Sequence, residues 1–406
     1  MAFSHFIFVC LLLILSIAYC SADAAADNFY YSNTVPEATE KFLTACSAIN
    51  GSIETIDHPL RGVEGELLQV AVCAVGDANS RSVVFTISGT HGIEGYAGSM
   101  AQISMLRGPS SMFPPGVRMI HLHMINPYGA SFVLKENEQN ADQYKNLAEF
   151  YSTAYDNPIL QELIDGINLK NLNNQTEQQN ALATFARLIQ KYGEENVNEA
   201  LKIGQGKRPE GIAYFGPNKS WSSNTTEYVM NKYLSNLDKL FVIDLHTAVG
   251  PYGKWVFLPI DRKTEIFFKR WVPNALISEY DVRTPPGGET PFNQLRKISK
   301  AKRFWRCLWE AGTYPVTPET NAAFFLRLYC RFYSNRTDPF CQNIIGQIQE
   351  FFYPQKVDWR NMTYHSFNEI FPEILTGFVA EHNQGNLSVL SQWMIILSFL
   401  FSIYFS

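Results

Sequence analysis

The segment Ser88-Gly89-Thr90-His91-Gly92-Ile93-Glu94-Gly95 places a histidine and a glutamate three residues apart. At that spacing both side chains point the same way from one helical turn or tight loop. Imidazole nitrogen and carboxylate oxygen are good zinc ligands, and a catalytic zinc takes three protein ligands and keeps its fourth position for water. The glycines around His91 and Glu94 let backbone and substrate come close. His246 follows a short apolar run, in Asp244-Leu245-His246-Thr247, and is the candidate third ligand. Asp244 beside it reads as an orienting partner for the histidine or as a buried strand-end acid. His-x-x-Glu alone is a weak signal, because structural residues satisfy it as well. His121 and His123 also share one face of a strand, but they read as core or surface histidines rather than as a second metal site.

Residues of this kind need elements to carry them. Leu67 to Val75 and Ser82 to Ser88 read as strands, as do Val117 to Ile125 and Lys239 to Leu245. Short, nearly continuous apolar runs predict a sheet covered on both faces. Ala181 to Tyr192 and Glu195 to Ile203 read as helices within a helical stretch between Asn146 and Gly206. Strands separated by helices predict an α/β fold, a mixed and mostly parallel sheet flanked by helices. In such sheets ligand groups collect at the carboxyl ends of strands. His91, Asn126 and His246 each follow or end one of the four runs.

Composition agrees with a folded chain. Of 406 residues, 46% are hydrophobic and 17% charged, which excludes a disordered or fibrous protein. A formal charge of -5 argues against nucleic acid as a partner. Charged residues run only from Asp23 to Glu381, so both ends are neutral and apolar.

Phe6 to Ala18 is an apolar run followed by Ser21, Ala22, Ala24 and Ala25, which predicts a secretory signal peptide over 1–22. An uncleaved signal anchor is the alternative. Behind it lie seven Asn-x-Ser/Thr sequons, at Asn50, Asn174, Asn218, Asn224, Asn335, Asn361 and Asn386, as in an N-glycosylated luminal or extracellular protein. Residues 383–406 carry Asn383 and Gly385, a short polar spacer and an apolar run from Trp393 to Phe405. That is the layout of a GPI-anchor signal, with a retained membrane helix as the alternative. Either places the protein at a membrane surface. Five cysteines remain after the signal, and no CxxC occurs. Cys46 with Cys73 and Cys330 with Cys341 are plausible pairs, leaving one buried thiol.

Four motifs occur in order: Ser88–Gly95, Asn126-Pro127-Tyr128-Gly129, Asp244-Leu245-His246-Thr247 and Glu310-Ala311-Gly312-Thr313. Together they resemble the zinc carboxypeptidase superfamily, and within it a little-characterised branch of carboxypeptidase-like hydrolases. Aspartoacylase and succinylglutamate desuccinylase are more distant. Gly204–Trp221, Gly250–Gly253 and Phe352–Arg360 also resemble that branch, so the likeness runs from about Phe42 to Leu375. It implies one catalytic domain over 23–382, with a helical insertion at about 147–206. It implies a single zinc held by His91, Glu94 and His246, with Glu310 as general base. Such an enzyme hydrolyses an amide bond of a peptide or N-acyl amino acid.

The sequence departs from the family at one place. Arginines, then Asp-x-Asn-Arg-Asn, usually follow the Asn-Pro-Tyr-Gly turn. Here the stretch reads Leu134-Lys135, then Asp142-Gln143-Tyr144-Lys145-Asn146. Lys135 is the nearest cation for the tetrahedral oxyanion. Asn126, Tyr144 and Lys145 are the candidate substrate contacts, although lysine lacks the bidentate fork of arginine. Each lysine reads equally as a solvated surface charge. The competing reading is a catalytically silent surface binding protein of the same fold. A serine hydrolase is excluded by the lack of a Gly-x-Ser-x-Gly elbow.

Overall fold

A computed structural model describes residues 29–147, 156–167, 174–216, 218–278, 290–332 and 336–383. The expected signal peptide at 1–22, the tail beyond Asn383 and the sequons at Asn335 and Asn386 lie outside the described residues.

Eight strands form one sheet: β1 (Ser52–Arg61), β2 (Leu67–Val75), β3 (Ser82–Ser88), β4 (Arg118–His123), β5 (Lys239–Thr247), β6 (Trp255–Pro259), β7 (Leu276–Ile277) and β8 (Arg303–Ala311). Their order is β1-β2-β4-β3-β5-β8-β6-β7. The central strands β4, β3, β5 and β8 run parallel, β6 and β7 are parallel to each other, and the remaining pairings are antiparallel. The chain is therefore α/β with a mixed, mostly parallel sheet flanked by helices. β3 and β5 are buried along their whole length, as expected for strands whose sequences are largely apolar.

Alternation sorts the side chains of the central strands onto two faces. Phe241, Ile243 and Leu245 of β5 join Trp305, Cys307 and Trp309 of β8 in one apolar layer. The helices Gly95–Arg107, Arg262–Trp271 and Val357–Asn383 contribute to that layer. Leu240 and Val242 face the other way, with Phe304 and Leu308. There they meet Val229 and Met230 of the helix Trp221–Tyr233 and Phe292 and Leu295 of the helix Pro291–Ser299. The helix Val35–Ala48 starts at Thr34, whose hydroxyl accepts from the Glu37 N–H. Its buried Ala38, Phe42, Ala45 and Cys46 follow helical spacing.

Between β4 and β5 the helices Pro158–Gly166, Gln175–Tyr192 and Glu194–Ile203 pack on one another. Their Leu163, Phe185, Leu188 and Val197 form a separate core that also takes Phe325 and Leu328. Among the described residues no helix is long and apolar enough to cross a membrane.

Two disulfides join Cys46 to Cys73 and Cys330 to Cys341, and Cys307 is a buried free thiol. Paired cysteines are the mark of an oxidising compartment. The five described sequon asparagines are exposed or half-buried, and none lies in the core.

Candidate active site

β3, β4, β5 and β8 are parallel, so their carboxyl ends share one edge of the sheet. His91 lies in the loop after β3, immediately before the helix Gly95–Arg107, with Glu94 as that helix's N-cap. His246 is the penultimate residue of β5 and Glu310 the penultimate residue of β8, paired in register. Both fall on the even-numbered side of their strands, so they point from the same face. Close approach at this edge requires glycine. A Cβ on Gly92 would sit 2.2 Å from the Gly129 carbonyl carbon, and one on Gly312 would sit 2.1 Å from the Pro251 oxygen.

His91 Nδ1 is 2.9 Å from Glu94 Oε1, and His246 Nδ1 is 3.0 Å from Glu94 Oε2. The two Nδ1 atoms are 3.2 Å apart. Among the described residues this is the only group of three His, Cys, Asp or Glu side chains able to hold a metal, all ligand atoms lying within 4.8 Å. Two nitrogens bound tetrahedrally at zinc's usual bond length stand roughly 3.3 Å apart, so the spacing fits a zinc. The donor set of two imidazoles and a carboxylate also fits it.

Outer partners fix these ligands. Asp244 Oδ2 lies 3.1 Å from His246 Nε2, and Thr90 Oγ1 donates to Asp244 Oδ1 at 2.7 Å. Asp142 Oδ1 lies 3.5 Å from His91 Nε2. The Thr247 N–H donates to Glu94 Oε2 at 3.1 Å. Imidazoles that bind metal through one nitrogen and face a carboxylate with the other are the common arrangement. Burial opposes the charge on Glu94, but His91 and His246 together hold its carboxyl well below the carboxylate range. Burial likewise opposes charge on His246, and Asp244 and Glu94 together raise its proton affinity well above that of a free imidazole.

Glu310 is 7% exposed, and its Oε2 has no hydrogen-bond partner. Burial pushes its carboxyl up to about 8, with Glu94 adding to the shift and His246 and Lys135 opposing it.

The other expected residues divide. Lys135 is near the centre: its Nζ lies 3.6 Å from Asp142 Oδ2. Burial lowers its proton affinity, but the surrounding acids, Asp142 first, raise it further. Lys145 Nζ pairs with the same carboxylate oxygen, 2.9 Å from Asp142 Oδ2. Tyr144 packs into the apolar layer against Phe292, with ring centroids 6.2 Å apart. Asn126 is fully buried and caps the helix Pro127–Ser131, accepting from the Gly129 N–H at 2.9 Å. Its Nδ2 donates to the Lys135 carbonyl at 3.3 Å, so it holds the turn that carries Lys135. Among the described residues His121 and His123 belong to no group of three side chains able to hold a metal. His121 Nδ1 is 2.8 Å from Thr86 Oγ1, and His123 Nε2 is 2.9 Å from Ser99 Oγ.

The sequence alone assigns Asp142 no role, yet Asp142 links His91, Lys135 and Lys145. Burial opposes its charge, but Lys145, Lys135 and His91 hold its carboxyl well below the usual range. Its signal was available: it stands three residues before Lys145, at the acidic position of the motif that follows the Asn-Pro-Tyr-Gly turn. Buried amides fasten this segment. Asn140 donates to the carbonyls of Pro209 and Gly211, and Asn146 to those of Phe215 and Asn218.

Comparison with solved structures finds chains that align over most of this one at low identity. Carboxypeptidase A from Helicoverpa armigera is 10% identical, with 84% of this chain and 81% of that one covered and a TM-score of 0.41. A metallo-carboxypeptidase from Pseudomonas aeruginosa, solved with (2-guanidinoethylmercapto)succinic acid, is 10% identical, covering 77% and 67%, with a TM-score of 0.37. A Shewanella frigidimarina protein, provisionally described as a succinylglutamate desuccinylase/aspartoacylase, is 12% identical, covering 70% and 72%, with a TM-score of 0.29. No curated protein matches the sequence. One family model does match, over residues 31–366, a span that takes in every residue of the centre from His91 to Glu310. The chain belongs to that family, described as Protein of unknown function (DUF2817).

Proposed function

We propose that this protein is a zinc-dependent hydrolase of amide bonds, acting on a peptide or an N-acyl amino acid. One observation carries the reading. His91, Glu94 and His246 converge at the carboxyl edge of the sheet, with the buried, incompletely bonded carboxyl of Glu310 on the neighbouring strand.

His91 Nδ1, the Glu94 carboxylate and His246 Nδ1 would hold one zinc, oriented by Asp142 and Asp244. When bound, zinc supplies Lewis acidity towards a carbonyl and acidifies water. Glu310 takes the proton of the attacking water and delivers it to the leaving nitrogen. Its environment favours that task, since it disfavours a permanent charge and so makes the carboxylate a willing acceptor. Lys135 places positive charge beside the carbonyl oxygen as that oxygen becomes negative. Lys145 offers a charge to a substrate carboxylate, without the bidentate grip of arginine.

The test is elemental analysis of the secreted, tail-less protein beside hydrolysis of a panel of peptides and N-acyl amino acids. About one zinc per chain with chelator-sensitive cleavage is expected. No zinc would overturn the reading. One zinc with no cleavage favours the second reading, a silent binding protein. That reading draws on Lys145, which is paired with Asp142, and on Tyr144, which packs into the core.

The same proposal places the protein in the secretory pathway and at the cell surface, N-glycosylated and held by a GPI anchor or a retained apolar tail. The two disulfides and the sequons outside the core support an extracytoplasmic setting.

A further inference from the structure

A cavity of about 220 Å³ lies next to the centre, and none of His91, Glu94, His246 or Glu310 lines it. Phe324, Phe325, Phe351 and Phe352 line it from the helices Pro318–Phe332 and Pro339–Phe352. Leu201 and Ile212, on the chain between β4 and β5, line it as well. The apolar lining is interrupted at Lys135, Glu136 and Lys145, and at Thr320 and Asn321. Both lysines grip Asp142, and Asp142 reaches His91. The cavity is thus one side chain removed from the metal ligands, on the side of Lys135.

Charge and shape together limit the occupant. Two lysines share Asp142 at the end nearest the centre, where Glu94 and Glu310 also act on Lys135. Glu136 also lines the cavity, but Arg327 and Arg331 lie close enough to offset it. Beyond the lysines the lining is largely aromatic and aliphatic. Binding sites of this kind hold an apolar group and orient it by a few polar contacts at one end.

We propose that this cavity is an acyl-chain subsite, and that the substrates are N-acyl amino acids with an extended or aromatic acyl group. The proposal rests on the amide hydrolase reading. Lys135, which that reading sets beside the scissile carbonyl oxygen, is part of the cavity wall. The carbonyl carbon therefore sits at the mouth, and its substituent has the shortest path inward. Water adds across the amide: the carbonyl carbon gains the oxygen, the C–N bond breaks, and the nitrogen leaves with the proton. The products are a fatty or aromatic carboxylic acid and a free amino acid.

The test compares zinc-loaded protein on acetyl-, hexanoyl- and decanoyl-glycine, and on acetyl-leucine and acetyl-phenylalanine. The same compounds are titrated by calorimetry into Glu310→Gln. Val316→Glu, at an exposed rim position, and Asn321→Trp, at the lining, alter the cavity. A thermal melt verifies that each variant is folded. In the wild type, kcat/KM should rise about fourfold for each buried methylene until the cavity is full. The decanoyl-to-acetyl ratio should drop at least tenfold in both variants. A flat acyl series, or a gain confined to acetyl-leucine and acetyl-phenylalanine, overturns the subsite and leaves the hydrolase standing. No turnover, with length-dependent binding that the two variants abolish, removes the hydrolase and keeps the acyl subsite. No turnover and no length dependence in binding overturns the subsite outright.

Discussion

At the scale of single residues, the centre works through opposed pressures on buried charge. A buried carboxylate is costly unless it is paired, and Glu94 is paired with two histidines and a backbone N–H. Glu310 is buried with no comparable pairing, so its proton affinity rises instead. The two acids differ in surroundings, which suits one to hold a cation and the other to move a proton. Glu310→Gln should therefore abolish turnover while the zinc content of the purified protein stays near one per chain. Retained activity would remove Glu310 as the base. His246→Ala deletes a ligand, and metal analysis should find the zinc lost or bound far more weakly. An unchanged metal content would strike it from the ligand set. Asp244→Asn keeps the size of the side chain and the Thr90 contact but removes the charge facing His246 Nε2. Chelator competition should show zinc affinity lower by about 10- to 100-fold. An affinity equal to that of the wild type would reduce Asp244 to a buried strand-end acid.

At the scale of elements, the sheet explains both what can be read from the sequence and what cannot. β2 and β3 are seen in the sequence at the bounds the structure gives, and β5 extends two residues further to include His246. Nearly continuous apolar runs are legible because burial on both faces leaves no polar side. β1 was missed because it is an edge strand, largely exposed, with polar residues throughout Ser52–Arg61. β8 is not among the four runs read as strands, and the register of Glu310 beside His246 comes from pairing across about 64 residues of chain, which no local pattern encodes. The three candidate metal ligands were legible because residue type and strand ends coincide. Asp142 was not assigned a role, because it acts through a loop folded against the segment near Gly211. β4 carries a further consequence. Burial holds His121 and His123 down to about 3, whereas each titrates near 6.5 when unfolded. Both are then neutral in the native state, and the unfolded chain binds more protons as pH falls. Their effect on stability is nil above about 6.5 and grows as pH drops from there towards 3, by up to about 1.4 kcal/mol per pH unit for each histidine. Melts between pH 7 and 4.5 should show this loss, and His121→Gln should reduce its slope. An equal slope in the variant would mean that His121 is protonated in the native protein.

At the scale of the whole molecule, the two disulfides tie together parts that the sheet does not. Cys46–Cys73 fastens the helix Val35–Ala48 to β2, across a sequence separation of 27. Cys330–Cys341 joins the helices Pro318–Phe332 and Pro339–Phe352, across a separation of 11. The second pair of helices bears the four phenylalanines of the cavity. By the loop-entropy relation the longer closure contributes about 3.6 kcal/mol and the shorter about 2.8 kcal/mol. Their sum is comparable to the entire stability of an ordinary domain, about 5–15 kcal/mol. The fold should therefore depend on the compartment in which it is made. Denaturant unfolding of the oxidised protein should show a stability that Cys330→Ala/Cys341→Ala lowers by about 3 kcal/mol. Full reduction should lower it by roughly twice as much. The lesion should also be uneven: the double variant should weaken binding of decanoyl-glycine before it disturbs zinc, because the candidate metal ligands sit on β5 and on the loop between β3 and its following helix. Equal stability with and without reductant would show that neither bond braces the fold, and would withdraw the structural support for an oxidising compartment.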